Sequence, residues 1–256
     1  MHDGGQERLS DEGLTLVTGA TAGLGVGVAE RLASQGHHVV ITHRPGGTLP
    51  DATLARLHRY DTTAASYPLD FTEGAHIAAI VDRIRRERGA ITRVVHCVGP
   101  MQIARVAKST LAMYADMVTT NLMSAVALTL AVLPDMRAHR FGRLLFFGMT
   151  GSSVTRPARG LASYGAAKAA LVAFARTVAL EEAHHGITVN VIEPGDIREK
   201  SRSRVEAWST AAGNPSGHAG SWEDVADAVA FLLDQRAGFI NGGTLAVGGG
   251  LIDASE

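Results

Sequence analysis

Short, β-branched apolar runs recur along the chain, each followed by a longer stretch whose apolar residues return every three or four positions. The first pattern reads as strand and the second as amphipathic helix. Strands are predicted at residues 14–17, 38–42, 66–69, 93–98, 143–147, 188–192 and 244–247. Helices are predicted at 23–35, 73–88, 110–139, 162–185 and 222–235. Ser221 is placed to cap the last helix, with Glu223 and Asp224 in its first turn, where carboxylates meet the positive end of the helix dipole.

Strands that alternate with helices pair in parallel through right-handed crossovers. The pattern therefore predicts an α/β chain: a doubly wound, Rossmann-type sheet of seven parallel strands, helices on both faces, and a ligand crevice at the strands' carboxyl ends. Residues 44–63 and 195–220 are the least regular, and the second segment is long enough to be a lid. With no repeat and no linker, residues 1–256 are expected to form a single domain, with the polar first ten residues as a frayed arm. The most apolar stretch, 122–133, holds Ser124 and Thr129 and stops at Pro134. It is shorter than the ~20 residues a spanning helix needs and reads as a buried helix.

Composition narrows the partners. The 256 residues carry 24 basic and 25 acidic side chains, a net charge of −1, so no global field draws the chain to nucleic acid or an anionic membrane. A small-molecule partner is expected, and no metal. Cys97 is the single cysteine, which excludes an intrachain disulfide framework and suits a reducing cytoplasm; the residue itself reads as a small buried hydrophobe.

Two motifs carry chemistry. The run Thr18-Gly19-Ala20-Thr21-Ala22-Gly23-Leu24-Gly25 follows a strand and opens a helix, where glycines let backbone N–H groups approach a pyrophosphate at the helix's positive end. Far downstream, Tyr164 and Lys168 lie one helical turn apart on a shared face. Free tyrosine has a pKa of ~10, and a neighbouring cation favours its phenolate, so the pair is an acid/base device.

Together, Gly-x-x-x-Gly-x-Gly and Tyr-x-x-x-Lys resemble the short-chain dehydrogenase/reductase family, in its 3-oxoacyl-thioester reductase form. The likeness runs from about residue 14 to 252, with supporting matches at Asp70, Asn121, Asn190, Pro194-Gly195 and Gly242-Gly243. The resemblance implies that Tyr164 is the acid that protonates a ketone oxygen as hydride arrives from a nicotinamide. It makes Lys168 the cationic partner that also holds the nicotinamide ribose, and Asn121 the residue that holds a water linking the lysine to solvent. Gly19, Thr21, Ala22, Gly23, Leu24 and Gly25 would cradle the cofactor, and Gly99, Pro194, Gly195 and Ile197 would line it further along. Asp70 would meet the adenine amino group and Phe71 would flank the ring through its backbone; Asp70 is also placed to cap the following helix. The four-residue spacing of Tyr164 and Lys168 favours carbonyl over carbon-carbon double-bond reduction.

After the second strand the chain reads Ile41-Thr42-His43-Arg44, with no acidic residue for the ribose hydroxyls that NAD(H) presents. The Arg44 fork, beside His43, suits the 2′-phosphate of NADP(H). NADP(H) is the expected cofactor.

Three positions depart from the family pattern. Its serine, about 13 residues before the tyrosine, falls on Gly151 when counted from Tyr164 and on Met149 when counted from the strand, which makes the loop about two residues longer. Thr150, Ser152 and Ser153 are the hydroxyls at hand, and Ser152 is the candidate. His96-Cys97-Val98-Gly99 stands where Asn-Asn-Ala-Gly is usual, and Glu199 where Thr or Ser is usual. These departures keep open a second reading, an NADP-binding scaffold or regulator with weakened chemistry. In the lid, Arg198, Lys200, Arg202 and Arg204 could greet an acidic substrate such as a coenzyme A or carrier-protein thioester. Met101, Ile103, Met149 and Trp208 offer an apolar pocket wall. Excess apolar surface on the long helices predicts a homodimer or homotetramer.

Overall fold

The computed structural model describes residues 13–47, 50–197 and 203–251. The N-terminal arm and the lid residues Arg198, Glu199, Lys200 and Arg202 lie outside these. Seven strands, β1 (Leu14–Thr18), β2 (Val39–His43), β3 (Ala65–Pro68), β4 (Ile91–His96), β5 (Gly142–Phe147), β6 (Ile187–Pro194) and β7 (Thr244–Val247), form one all-parallel sheet in the order 3-2-1-4-5-6-7. The order reverses between β1 and β4, and the crevice at that switch point is where a doubly wound sheet takes its ligand.

Helices α1 (Leu24–Ser34) and α8 (Trp222–Leu233) cover one face. Its core comprises Val17, Val28, Leu32, Ile41, Leu145, Val225 and their neighbours. Helices α3 (Gly74–Arg88), α4 (Leu111–Val118), α5 (Ser124–His139) and α6 (Ala162–Glu182) cover the other. There Ile77, Ile80, Val81 and Ile84 follow helical spacing and pack against Leu128, Val132 and Phe146. Ser221 caps α8 through a reciprocal capping box with Asp224, as predicted.

The pattern misplaced three features. Helix α2 (Asp51–Leu57) lies inside the segment read as irregular. Strand β4 begins two residues earlier than expected and ends at His96, so Cys97 and Val98 belong to the loop over the crevice. The expected helix 110–139 is two α-helices joined by a π turn at Thr119–Met123. By length and composition Leu111–His139 could cross a membrane, but half of its most apolar window is buried within the chain, and α5 continues through Pro134 to His139.

Candidate active site

The glycine turn is shaped by backbone crowding. Gly19 and Gly23 adopt φ +64° and +61°, and a Cβ on Gly25 would stand 2.6 Å from the Gly19 carbonyl oxygen. Only glycine fits there. No side chain caps α1, so its first-turn N–H groups face the crevice with the helix dipole behind them. Thr21, Ala22 and Leu24 complete the lip.

At one end of the crevice, Arg44 is exposed just beyond β2. His43 Nδ1 is bonded to Ser66 Oγ at 2.7 Å, which ties β2 to β3. Asp70 Oδ1 accepts from the Thr72 N–H (2.9 Å) and hydroxyl (2.7 Å), an Asx turn. Those two bonds, then Arg44, hold its carboxyl below the usual range. Asp70 does not cap α3; Glu73 occupies that position. Phe71 turns its ring onto His96, with centroids 5.2 Å apart.

At the other end, α6 presents Tyr164 and Lys168 on one face. Lys168 is 2% exposed, its Nζ donates to the Phe147 carbonyl at 2.7 Å, and it lies 5.5 Å from the Tyr164 ring centroid. Burial pulls its pKa down to about 8, with Cys97 acting in the opposite sense, so the ammonium is still charged at neutral pH. Burial also raises the Tyr164 pKa. In the free protein desolvation is the cause that moves the phenol, and it holds its proton at neutral pH.

The π turn brings Asn121 beside this pair. Asn121 is 1% exposed and donates to the Pro100 carbonyl at 3.1 Å, while its Oδ1 has no protein donor among the described residues. Gly99 separates it from the lysine: at φ +155°, a Cβ there would lie 2.6 Å from Asn121 Oδ1 and 2.8 Å from Lys168 Nζ. The amide oxygen and the ammonium therefore share one small polar space.

His96 replaces the expected asparagine with a defined network. Ser124 Oγ spends its proton on the Thr120 carbonyl (2.8 Å), so it accepts from His96 Nε2–H (3.1 Å). Thr18 Oγ1, which accepts from the Cys97 N–H (3.0 Å), donates to Nδ1 (2.9 Å). The imidazole is neutral, its pKa pushed down to about 3 by burial and then by Lys168. It links the residue before the glycine turn to the π turn that carries Asn121.

The departure at the serine is also spanned by hydrogen bonds. Ser152 lies in a 3-10 turn (Ser152–Val154) after β5 and donates to Glu193 Oε1 at 2.7 Å; Thr150 donates to the Pro194 carbonyl at 2.9 Å. Glu193 was missed in the sequence reading, although a lone carboxylate in the buried run of β6 signals a partner elsewhere. Gly195 packs on Gly248, where its Cβ would come 2.5 Å from Gly248 Cα, and Ile197 is bridged to Gly220 and packed against the α1/α8 core. Asn190 binds Ile240 and Gly243, fixing the approach to β7.

The lid differs from expectation at Arg204, on the short helix α7 (Arg204–Trp208): it is bound by Asp224 (2.7 Å) and Asp227 (2.5 Å) rather than offered to an acidic ligand. Trp208 packs its ring at a tilt against His218, centroids 5.2 Å apart, and lines a hollow of about 280 Å³ with Ile197 and Val247. Met101 and Ile103 are exposed, and Met149 faces α6 near Gly165.

Comparison with known proteins supports this reading. Residues 19–252 match the family described as Enoyl-(Acyl carrier protein) reductase. The chain is 34% identical over 242 residues to the 3-oxoacyl-[acyl-carrier-protein] reductase FabG of Escherichia coli, covering 93% of this chain and 96% of that one. It is 29% identical over 239 residues to the 3-oxoacyl-[acyl-carrier-protein] reductase MabA of Mycobacterium avium, covering 92% and 88%. A Bacillus thuringiensis structure with a provisional 3-oxoacyl-reductase assignment superposes with a TM-score of 0.83 at 28% identity, over 92% of this chain and 96% of that one. The family description names an enoyl reduction and these relatives a 3-oxoacyl one, and the Tyr164/Lys168 spacing sides with the relatives. The chain belongs to the short-chain dehydrogenase/reductase family and is an oxidoreductase of its 3-oxoacyl reductase-like kind.

Proposed function

We propose that this protein is an NADPH-dependent reductase of ketones, with 3-oxoacyl thioesters as the substrate class. The observation that carries the reading is the convergence of Tyr164, Lys168, Asn121 and the Gly99 backbone at one end of the crevice whose other end holds the glycine turn and Arg44. The residues fit the cofactor: a Cβ at Gly25 or Gly99 would intrude on the cradle, and Asn121 Oδ1 is left a buried acceptor.

When bound, NADPH supplies the hydride. Tyr164, protonated at neutral pH and raised further by burial, gives its proton to the substrate oxygen as charge develops there. Lys168, charged at neutral pH, stabilises the phenolate that remains. Asn121 holds a polar path by which the proton is restored from solvent. Arg44 receives the 2′-phosphate, and Asp70 and Phe71 face the adenine. The relatives' names support the thioester class, and the four-residue spacing of the acid and its cation supports carbonyl over carbon-carbon double-bond reduction.

We place the enzyme in the cytoplasm as a homodimer or homotetramer. Leu130 and Leu180 on the long helices, and Phe239 and Leu245 at the β7 edge, are apolar and exposed, and a hydrophobic edge strand calls for cover. Cofactor choice is tested with Arg44→Ala: KM for NADPH should rise at least tenfold with NADH kinetics little changed. A wild type that prefers NADH contradicts the Arg44 assignment.

A further inference from the structure

The clasp under the β5–α6 loop has no counterpart in the reading above. Glu193 is 4% exposed and its carboxylate takes three donors from three consecutive residues: Gly151 N–H on Oε2 (2.9 Å), and Ser152 Oγ–H (2.7 Å) and Ser153 N–H (2.8 Å) on Oε1. Ser152 is 3% exposed, and its Oγ also accepts the Met149 N–H at 3.2 Å. Its one proton is therefore committed to Glu193 and a lone pair to the backbone. Beneath the clasp, a Cβ at Gly148 would come within 2.8 Å of Ser152 Oγ and 3.0 Å of Glu193 Cγ, so the close approach depends on glycine. Above it, Met149 reaches α6 beside Tyr164: a Cβ at Gly165 would lie 3.5 Å from Met149 Cε.

We propose that Glu193 is a positioning residue that fixes the turn Gly151–Ser153, seats Met149 against α6 next to the acid Tyr164, and withholds the Ser152 proton from the substrate oxygen. A buried carboxylate with three donors is a strong and geometrically exacting anchor. The extra length of the loop is taken up by the turn it holds, and the carbonyl takes its proton from Tyr164 without help from Ser152. The inference rests on the proposed ketone reduction for its kinetic consequences, but not for the clasp itself.

Two measurements test it on the full chain. In steady-state reduction of a 3-oxoacyl thioester, Ser152→Ala should lower kcat less than tenfold. Glu193→Ala should lower it at least thirtyfold, with the NADPH Kd, read by cofactor fluorescence, within twofold of wild type. In hydrogen exchange, the Gly151 and Ser153 amides should be protected in the wild type, and in Glu193→Ala that protection should be lost while the sheet amides stay protected. A loss of a hundredfold or more in Ser152→Ala, the size expected for a donor to the reacting oxygen, would overturn the proposal. So would unprotected Gly151 and Ser153 amides in the wild type, or a Glu193→Ala kcat equal to wild type. If Glu193→Ala does not fold, Ser152→Ala and the wild-type exchange still decide. If no ketone is reduced at all, the proposed function fails, while the exchange result still judges the clasp.

Discussion

Two buried titratable groups, His96 and Lys168, make separate predictions. His96 donates through Nε2 and accepts at Nδ1, and burial keeps it neutral with a pKa of about 3. Long-range nitrogen-15 NMR should show a fixed Nε2–H tautomer that does not titrate between about pH 5 and 8; an ordinary titration curve for His96 would break the proposed link between Thr18 and Thr120. Lys168 falls from 10.5 in the unfolded chain to about 8 in the folded one. Below about pH 8 both states hold the proton, whereas between about 8 and 10.5 only the unfolded chain does, so this group makes the fold more stable as pH rises through that window, by up to about 3 kcal/mol. The gain should be read in unfolding free energies against pH and should be missing from Lys168→Met. Tyr164, Lys168 and Asn121 were legible in the sequence because helical spacing and motif order expose them. The Ser152–Glu193 bond was not, because its partners stand 41 residues apart and meet only once β5 and β6 pair.

Elements were readable where their period was long and clean. Helix α3 repeats its isoleucines and valine over about two of its turns and ends at Gly89, φ +115°, whereas α2 is only seven residues after Pro45, Gly46 and Gly47 and buries little beyond Leu57. The π turn was invisible because polar Thr119, Thr120 and Asn121 neither interrupt the apolar stripe nor announce an extra residue in the turn. Two glycines of α1 separate cofactor binding from packing. Gly25→Ala puts a methyl group 2.6 Å from a backbone oxygen of the glycine turn, so the turn must shift, and NADPH affinity should fall at least tenfold along with a drop in melting temperature. Gly27→Ala puts one 2.2 Å from the Trp222 ring between α1 and α8, and should cost about 1–3 kcal/mol of stability with a smaller effect on NADPH binding. Calorimetry and fluorescence titration of both variants check the pair.

For the whole molecule, strand-helix alternation dictated the parallel sheet and the switch point between β1 and β4 placed the crevice. Two hollows of about 420 and 620 Å³ share Gln35, His37 and Arg93 at the opposite, amino ends of the strands, away from the chemistry. Light scattering at micromolar concentration should give a dimer or tetramer mass, and Leu130→Glu with Leu180→Glu should lower it; a monomeric wild type contradicts the association. The proposal of hydride transfer to a ketone is tested most directly by following NADPH oxidation with a 3-oxoacyl thioester, wild type against Tyr164→Phe. Saturable turnover that falls at least a hundredfold in Tyr164→Phe, with NADPH affinity preserved, is the predicted result. NADPH binding without turnover in the wild type, or turnover that survives in Tyr164→Phe, would contradict it.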